Sequence, residues 1–213
     1  MAYGKGANME SIKIDAEGAF DLLLVDPPWH YNNNKTGGER NGDAKLGGAR
    51  KHYSLLQDSI LKAMAPEINR ITNKDSMLFL WATMPKLDIA IDVMTHWGFS
   101  YTTSWMTWIK LKKDTSVVKI RDNGDGDGLI YGPGAYTASN AELLLLGRKG
   151  KMLPQRYNMT PSVLFTPRTA HSAKPVQAYD RIELLYPNVS KIELFARRHR
   201  DGWTCWGDEL KKA

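Results

Sequence analysis

The feature that most constrains the fold is a series of short, nearly uninterrupted apolar runs. The first, Phe20–Val25, is ended abruptly by Asp26-Pro27-Pro28. A strand that is covered on both faces has this composition, and parallel sheets bury their strands in this way. Three further runs have the same character: Ser76–Trp81, Ala141–Leu146 and Lys191–Ala196. Tyr101–Lys110, which is rich in Thr and Trp, predicts another strand.

Two segments between these runs predict helices. Pro85 opens the first and Gly98 ends it, and its apolar residues have helical spacing: Leu87, Ala90, Ile91 and Met94. The second begins at Pro175 and ends before Pro187, and it is expected to bury Ala178, Tyr179, Ile182 and Leu185. Strands that alternate with helices predict a doubly wound α/β sheet. The 213 residues fit a single domain, 1–213.

Two long stretches, about residues 30–52 and 111–140, do not fit the sheet. The first holds several glycines among lysines and arginines, and the second contains the run Asp122–Gly128 of alternating acidic and glycine residues. Loops of this length inside a compact domain are usually functional. We expect mobile insertions that bind substrate and select the target, with plain surface insertions as the alternative.

Composition excludes several classes of protein. A single cysteine, Cys205, excludes a disulfide framework and a thiolate-rich zinc site, so a reducing compartment is the simplest expectation. No apolar run is long enough to cross a bilayer, and residues 1–15 carry no signal-peptide pattern. We therefore expect a cytoplasmic protein without a membrane partner. The net charge of +6 suits a polyanion-binding surface without establishing one.

The residues that follow the strands are the candidates for chemistry, because ligands of open α/β sheets bind at the carboxyl ends of strands. Two consecutive prolines restrict Asp26 to one extended geometry. Its carboxylate and the Pro27 carbonyl then form two adjacent acceptors, which suit an exocyclic amine, and Trp29 offers a ring for stacking. The alternative is a tight turn in which Asp26 caps a backbone amide and Trp29 packs in the core.

This tetrapeptide, Asp26-Pro27-Pro28-Trp29, resembles the signature of N6-adenine methyltransferases. In particular, it is similar to the family of the catalytic subunit of the messenger-RNA N6-adenosine methyltransferase and its phage and bacterial DNA-modifying relatives. Further blocks resemble that family in the same order: Tyr53, Trp108-Ile109-Lys110, Glu142 with Leu145-Leu146-Gly147, His171-Ser172-Ala173-Lys174-Pro175, Glu193–Arg197, and Trp203 with Trp206-Gly207-Asp208-Glu209. The resemblance extends from about Asp21 to Leu210, and so many blocks in one order are highly specific.

The resemblance implies a Rossmann-like domain with a permuted motif order that transfers methyl from S-adenosylmethionine, yields S-adenosylhomocysteine and needs no metal. The catalytic residues implied are Asp26, Pro27, Pro28 and Trp29: Asp26 and the Pro27 carbonyl would accept from the amine, and Trp29 would stack. The cofactor contacts implied are Asp26, Lys174, Arg197, His199, Asp208 and Glu209. The family usually has Asn at the position of Asp208, which is a departure here. The substrate contacts implied are His30, Tyr31, Tyr53, Trp108 and Lys110.

The sequence does not determine which substrate is methylated. Similarity to the short phage and bacterial members favours DNA over RNA, and we expect a compact protein without an appended RNA-binding module. N6-adenosine methylation of RNA and a catalytically silent nucleic-acid-binding subunit are the alternatives, as is methylation of a small molecule or protein amide. A homodimer is also open.

Overall fold

The structure is a computed structural model, and it describes residues 12–30, 56–115, 117–122, 125–132, 136–156, 160–169 and 173–212. Most of the predicted insertion at 30–52 lies outside the described residues, as do Tyr31, Tyr53, His171 and Ser172.

A seven-stranded sheet forms the centre of the described chain. Its strands are β1 (Phe20–Val25), β2 (Thr72–Thr83), β3 (Ser100–Leu111), β6 (Ala141–Lys149), β7 (Val163–Pro167), β8 (Lys191–Leu194) and β9 (Thr204–Trp206). Their spatial order is β7-β3-β6-β2-β1-β8-β9, and neighbouring strands are parallel except where β6 pairs with β2 and β3. Two short strands, β4 (Lys119–Ile120) and β5 (Gly126–Asp127), form a separate hairpin.

Four α-helices of the described residues flank the sheet: α1 (Asp58–Ala63), α2 (Ala65–Ile71), α3 (Leu87–His96) and α4 (Val176–Leu185). A 3-10 turn, Met84–Lys86, precedes α3, and another, Asp208–Lys212, follows β9. None of these helices is long and apolar enough to cross a membrane.

Alternate residues of the strands build two cores, one on each sheet face. On β1, Leu23 and Val25 face a core shared with α1, α2 and α3, whereas Leu22 and Leu24 face the core covered by α4. Asp26 continues the alternation of Leu22 and Leu24, and therefore lies at the edge of the α4 face.

The predicted α/β architecture is confirmed, including the mostly parallel sheet. The helix predicted from Pro175 is α4, and it buries the four residues expected of it. The helix predicted after Pro85 is α3, which buries Val93 in addition to Ala90 and Met94, while Ile91 is half-buried. One strand differs from its apolar pattern: Ala141–Leu146 has the composition of a parallel strand, but it belongs to the antiparallel β6 because composition reports burial and not direction.

Candidate active site

Asp26 follows the last residue of β1, at the edge where all the parallel strands end. Its Oδ1 lies 2.7 Å from the Nζ atom of Lys174, which comes two residues before α4 begins. The Lys174 side chain is 9% exposed and that of Asp26 is 22% exposed. The ammonium is thus buried beneath a carboxylate that solvent still reaches.

The same ammonium joins Asp26 to two residues of neighbouring strands. Lys174 Nζ lies 3.2 Å from Glu142 Oε2, and Lys110 Nζ lies 2.5 Å from Glu142 Oε1. We call this row of alternating charges, Asp26, Lys174, Glu142 and Lys110, the charge chain. Glu142 stands at the amino end of β6 but reaches this edge because β6 runs antiparallel.

Burial and charge oppose each other along the charge chain. Burial alone would lower the pKa of Lys174, but the charges of Asp26 and Glu142 outweigh it and raise that pKa. Burial would likewise raise the pKa of Glu142, but Lys174 and Lys110 hold it below its usual value. At Asp26 burial prevails over the attraction of Lys174, so the pKa of Asp26 is raised. Asp26 is consequently the more basic of the two carboxylates.

Two tryptophan rings lie under the cations of the charge chain. Lys174 Nζ is 5.6 Å from the centroid of the Trp81 ring, and Lys110 Nζ is 5.3 Å from that of Trp108. The two rings meet edge to face at 6.2 Å, and the Trp108 indole donates to the Thr166 carbonyl at 3.3 Å. Of the predicted substrate contacts, Lys110 therefore lies at the same edge as Asp26, whereas the Trp108 ring, 2% exposed, packs in the core beneath it and does not present a face to a base.

The tetrapeptide is fixed by backbone bonds that the sequence did not predict. The Pro27 carbonyl accepts from the Trp29 amide at 2.8 Å, and the Pro28 carbonyl accepts from the Leu56 amide at 3.1 Å. A carbonyl oxygen has two lone pairs, so Pro27 retains capacity for one further donor.

The expected stacking role of Trp29 does not fit this geometry. Its ring is 5% exposed in the core shared with α1 and α3, and its indole donates to the Trp81 carbonyl at 3.1 Å. The backbone after Pro28 directs the ring into the core, where its packing and its hydrogen bond to Trp81 hold the turn in place. The alternative stated from the sequence, a packed tryptophan, is the one observed.

The predicted cofactor residues after β8 form a second polar group. Arg197 Nε donates to Glu209 Oε2 at 3.0 Å, with both side chains half-buried. Asp208, also half-buried, opens the 3-10 turn that carries Glu209, whereas His199 is exposed. Lys174 pairs with Asp26 and Glu142 instead of this group. Of the predicted base contacts, His30 directly follows the tetrapeptide and is half-buried.

Sequence reasoning missed a buried carboxyl beside Asp26. Glu193 of β8 is 7% exposed and accepts a 2.7 Å hydrogen bond from the Tyr179 hydroxyl of α4. Burial, together with the charge of Asp26, raises the pKa of Glu193 to about 7. The available signal was an isolated acidic residue inside the apolar run Lys191–Ala196, which is rarely buried without a partner.

A second group that the sequence did not predict is a set of ion pairs that joins the segment after β8 to α4. Arg200 pairs with Glu183 at 2.6 Å and with Asp180 at 3.0 Å, both on α4, and its guanidinium stacks 4.8 Å from the Tyr179 ring centroid. The Trp203 indole donates to the same Glu183 carboxylate at 2.7 Å. Within the described residues, no group of three or more His, Cys, Asp or Glu side chains is placed to hold a metal ion.

Comparison with known proteins identifies the family. The sequence profile of the MT-A70 family matches residues 20–209, nearly the whole chain. The chain belongs to the MT-A70 family. As a member of this family it is an S-adenosylmethionine-dependent N6-adenine methyltransferase, as the tetrapeptide and the blocks after it predicted.

The relatives that the chain matches differ in how much of their own length the match covers. The chain is 30% identical over 201 residues to the type II methyltransferase M.MunI of Mycoplasma sp, covering 90% of this chain and 78% of that protein. It is 27% identical over 203 residues to the human N(6)-adenosine-methyltransferase catalytic subunit METTL3, covering 93% of this chain. The match spans only 30% of METTL3, and 25% of a probable MT-A70-like protein of Oryza sativa that is 22% identical.

Proposed function

We propose that the chain transfers methyl from S-adenosylmethionine to the N6 amine of adenine in DNA, with Asp26 as the residue that holds the amine. The observation that carries the assignment of Asp26 is its geometry: a carboxylate at the end of β1, 22% exposed, fixed through one oxygen by the buried Lys174. DNA is supported as the substrate by similarity to a type II methyltransferase, because that match covers 78% of the relative and 90% of this chain. The match to METTL3 covers only 30% of that protein.

The adenine amine is a weak nucleophile because its lone pair is delocalised into the ring. Hydrogen bonds from its two N–H groups to Asp26 and the Pro27 carbonyl favour a pyramidal nitrogen whose lone pair is available. Lys174 holds Oδ1 of Asp26, and within the described residues no hydrogen bond reaches Oδ2. Oδ2 is therefore the oxygen we assign to the amine.

Asp26 is also suited to accept the proton that the amine loses after methylation. Burial raises the pKa of Asp26, and a carboxylate with a raised pKa accepts a proton more readily than an exposed one. Bound S-adenosylmethionine supplies the other reactant, a methyl group on a sulfonium. Positioning is the remaining task of the site, and the buried charge chain gives Asp26 little freedom to move.

The residues present fit S-adenosylmethionine. Glu209 and Asp208 offer carboxylate acceptors for ribose hydroxyls, and Arg197 orients Glu209 through its 3.0 Å ion pair. Lys174, just before α4, is a buried cation that could bind the methionine carboxylate in addition to its carboxylate neighbours Asp26 and Glu142. We propose Asp26, Lys174, Arg197, His199, Asp208 and Glu209 as the cofactor-binding set.

An adenine paired inside a duplex cannot reach this site without leaving the stack. We propose that the base is extruded and meets the edge formed by Lys110 and Asp26, where the buried Trp108 ring supports Lys110, with His30, Tyr31 and Tyr53 as further contacts. Residues about 111–140 would bind the flanking strand.

The first prediction tests Asp26. Asp26→Ala should lower methyl transfer to DNA by roughly 10²–10³-fold or more, because a preorganised acceptor is lost where charge develops. Asp15→Ala removes an exposed carboxylate and is the matched control, expected to keep full activity. Transfer is measured with radiolabelled cofactor on DNA and RNA strands of matched sequence. Near-normal turnover by Asp26→Ala would refute the assignment.

Matched strands also separate the alternatives. Faster transfer to RNA than to DNA would replace the DNA substrate by RNA while leaving the chemistry intact. Absence of S-adenosylmethionine binding in calorimetry would favour the silent nucleic-acid-binding subunit, since that role needs no cofactor.

A further inference from the structure

Glu193 is a buried carboxyl that the proposed chemistry does not use. In the pairing of β1 with β8, Glu193 is opposite Leu24, and Asp26 is two residues beyond Leu24 on the same face. The two carboxyl groups are therefore diagonal neighbours on adjacent strands. The Tyr179 hydroxyl donates to one oxygen of Glu193 at 2.7 Å, which fixes the carboxyl against α4.

The surroundings of Glu193 disfavour two negative charges at once. Asp26 is stabilised as an anion by Lys174 at 2.7 Å, whereas Glu193 is bonded to a neutral hydroxyl. Lys174 forms its ion pair with Asp26 and not with Glu193, so of the two neighbouring buried carboxyls Glu193 is the one that retains a proton. The charged and titratable groups around Glu193 are Asp26 after β1, Tyr179 from α4, Cys205 from β9, and Arg198 and Arg200 after β8.

Occupancy of the site changes this balance, and this step rests on the proposed function. The amine held by Asp26 must approach the methyl carbon to about 3–3.5 Å for transfer. A bound sulfonium would therefore lie close to Asp26, on the sheet face that Asp26 shares with Glu193. A sulfonium is a cation, whereas the thioether of the product is neutral. A nearby cation favours the ionised form of a carboxyl.

We propose that Glu193 is a positioning residue that senses the sulfonium charge: it is protonated in the empty and product-bound site and ionised when S-adenosylmethionine is bound. On binding, the Glu193 O–H bond breaks, its electron pair stays on the carboxylate and the proton goes to solvent. Loss of the sulfonium charge in the transfer step makes the carboxyl basic again. The site thereby favours the methyl donor over the spent product.

The sign of the pH dependence follows from this linkage. Below the pKa of Glu193, ionising it costs part of the free energy of S-adenosylmethionine binding, and above that pKa the cost disappears. The ratio of the affinity for S-adenosylmethionine to that for S-adenosylhomocysteine should therefore rise with pH, by roughly tenfold between about pH 6 and about pH 8. Both molecules carry the same amino-acid moiety, so its titration contributes to both affinities.

Isothermal titration calorimetry of both molecules on the full chain measures this ratio. Glu193→Gln, which mimics the neutral acid, should make the ratio independent of pH and abolish proton release, detected by comparing buffers of different ionisation enthalpy. Glu17→Gln makes the same chemical change at an exposed position and should keep the wild-type slope. Tyr179→Phe removes a hydrogen bond that lowers the pKa of Glu193, so it should move the rise to higher pH.

The outcomes separate this inference from the function beneath it. Binding of both molecules with a ratio that does not change with pH, or a slope that persists in Glu193→Gln, would overturn the role of Glu193 while leaving the methyltransferase intact. Failure of the wild type to bind either molecule would overturn the proposed cofactor site, and the role of Glu193 with it. If Glu193 had only a structural role, Glu193→Gln would weaken the binding of both molecules equally at every pH.

Discussion

At the residue scale, one buried ammonium determines whether two carboxylates can share an edge of the sheet. Lys174 lies 2.7 Å from Asp26 and 3.2 Å from Glu142, and its side chain is 9% exposed. Removing one partner of such a group leaves uncompensated buried charge, which costs far more than loss of an exposed ion pair. The position of Asp26 is thus coupled to the stability of the fold.

Lys174→Met should lower the free energy of unfolding by about 3–5 kcal/mol at neutral pH. The loss should shrink as the pH falls: without Lys174, the folded state binds protons on Asp26 and Glu142 more tightly than the unfolded chain does, so acid favours folding of the variant. Urea titrations at about pH 5 and about pH 8 measure both effects.

Lys62→Met is the matched control for that substitution. It removes a lysine paired with Asp92 on the surface, where the side chains are 30% and 42% exposed, and should cost less than about 1 kcal/mol. Equal losses in the two variants would show that Lys174 does not stabilise buried charge.

At the element scale, the sequence predicted most of the elements but not how they meet. Apolar runs identified the strands, and prolines with glycines marked the ends of α3 and α4. The direction of β6 could not be predicted, because burial on two faces gives parallel and antiparallel strands the same composition. That direction brings Glu142, at the start of β6, to the edge where the parallel strands end. The residues that follow the strands do not include Glu142, so they do not predict the charge chain.

The same limit explains the fate of the tetrapeptide residues. Asp26 is where the end of β1 and strand alternation require it to be. The sidedness of Trp29 depends on the turn after Pro28 and on the bridge to Leu56, which is 27 positions further along the chain. Contacts of this kind are tertiary, and local propensity does not contain them.

The ion pair between Arg197 and Glu209 depends on one glycine. A Cβ at Gly207 would lie 2.2 Å from the Ala196 carbonyl oxygen and 2.6 Å from its amide nitrogen, both backbone atoms. Gly207→Ala should therefore separate the two segments, costing roughly 1–3 kcal/mol and weakening S-adenosylmethionine binding. Thermal unfolding and calorimetry measure the two losses.

Gly202→Ala is the comparison for that variant. Its φ of +75° disfavours alanine, but no atom lies within 4 Å of the added Cβ. It should cost roughly 1–2 kcal/mol from backbone strain alone and leave cofactor affinity unchanged. Unchanged cofactor affinity in Gly207→Ala would show that the approach of the two segments does not form the binding site.

At the scale of the whole molecule, the net charge of +6 has meaning only through where the cations lie. Lys112 and Lys113 are exposed directly after β3, at the edge that carries the charge chain. Lys74, near the start of β2, and Lys151, just after β6, are exposed at the opposite edge. If nucleic acid meets the active edge, only the first pair contacts phosphates.

The double variant Lys112→Gln/Lys113→Gln should therefore weaken DNA binding and reduce the slope of log K against log salt by about 2, since each phosphate contact contributes about 0.9 on a duplex. Cofactor affinity should not change, because both residues are exposed and neither belongs to the charge chain. Lys74→Gln/Lys151→Gln changes the net charge equally and should leave the slope near that of the wild type. Fluorescence anisotropy over a salt series distinguishes the two: equal slopes in both variants would mean that attraction by total charge, and not an oriented edge, brings DNA to the enzyme.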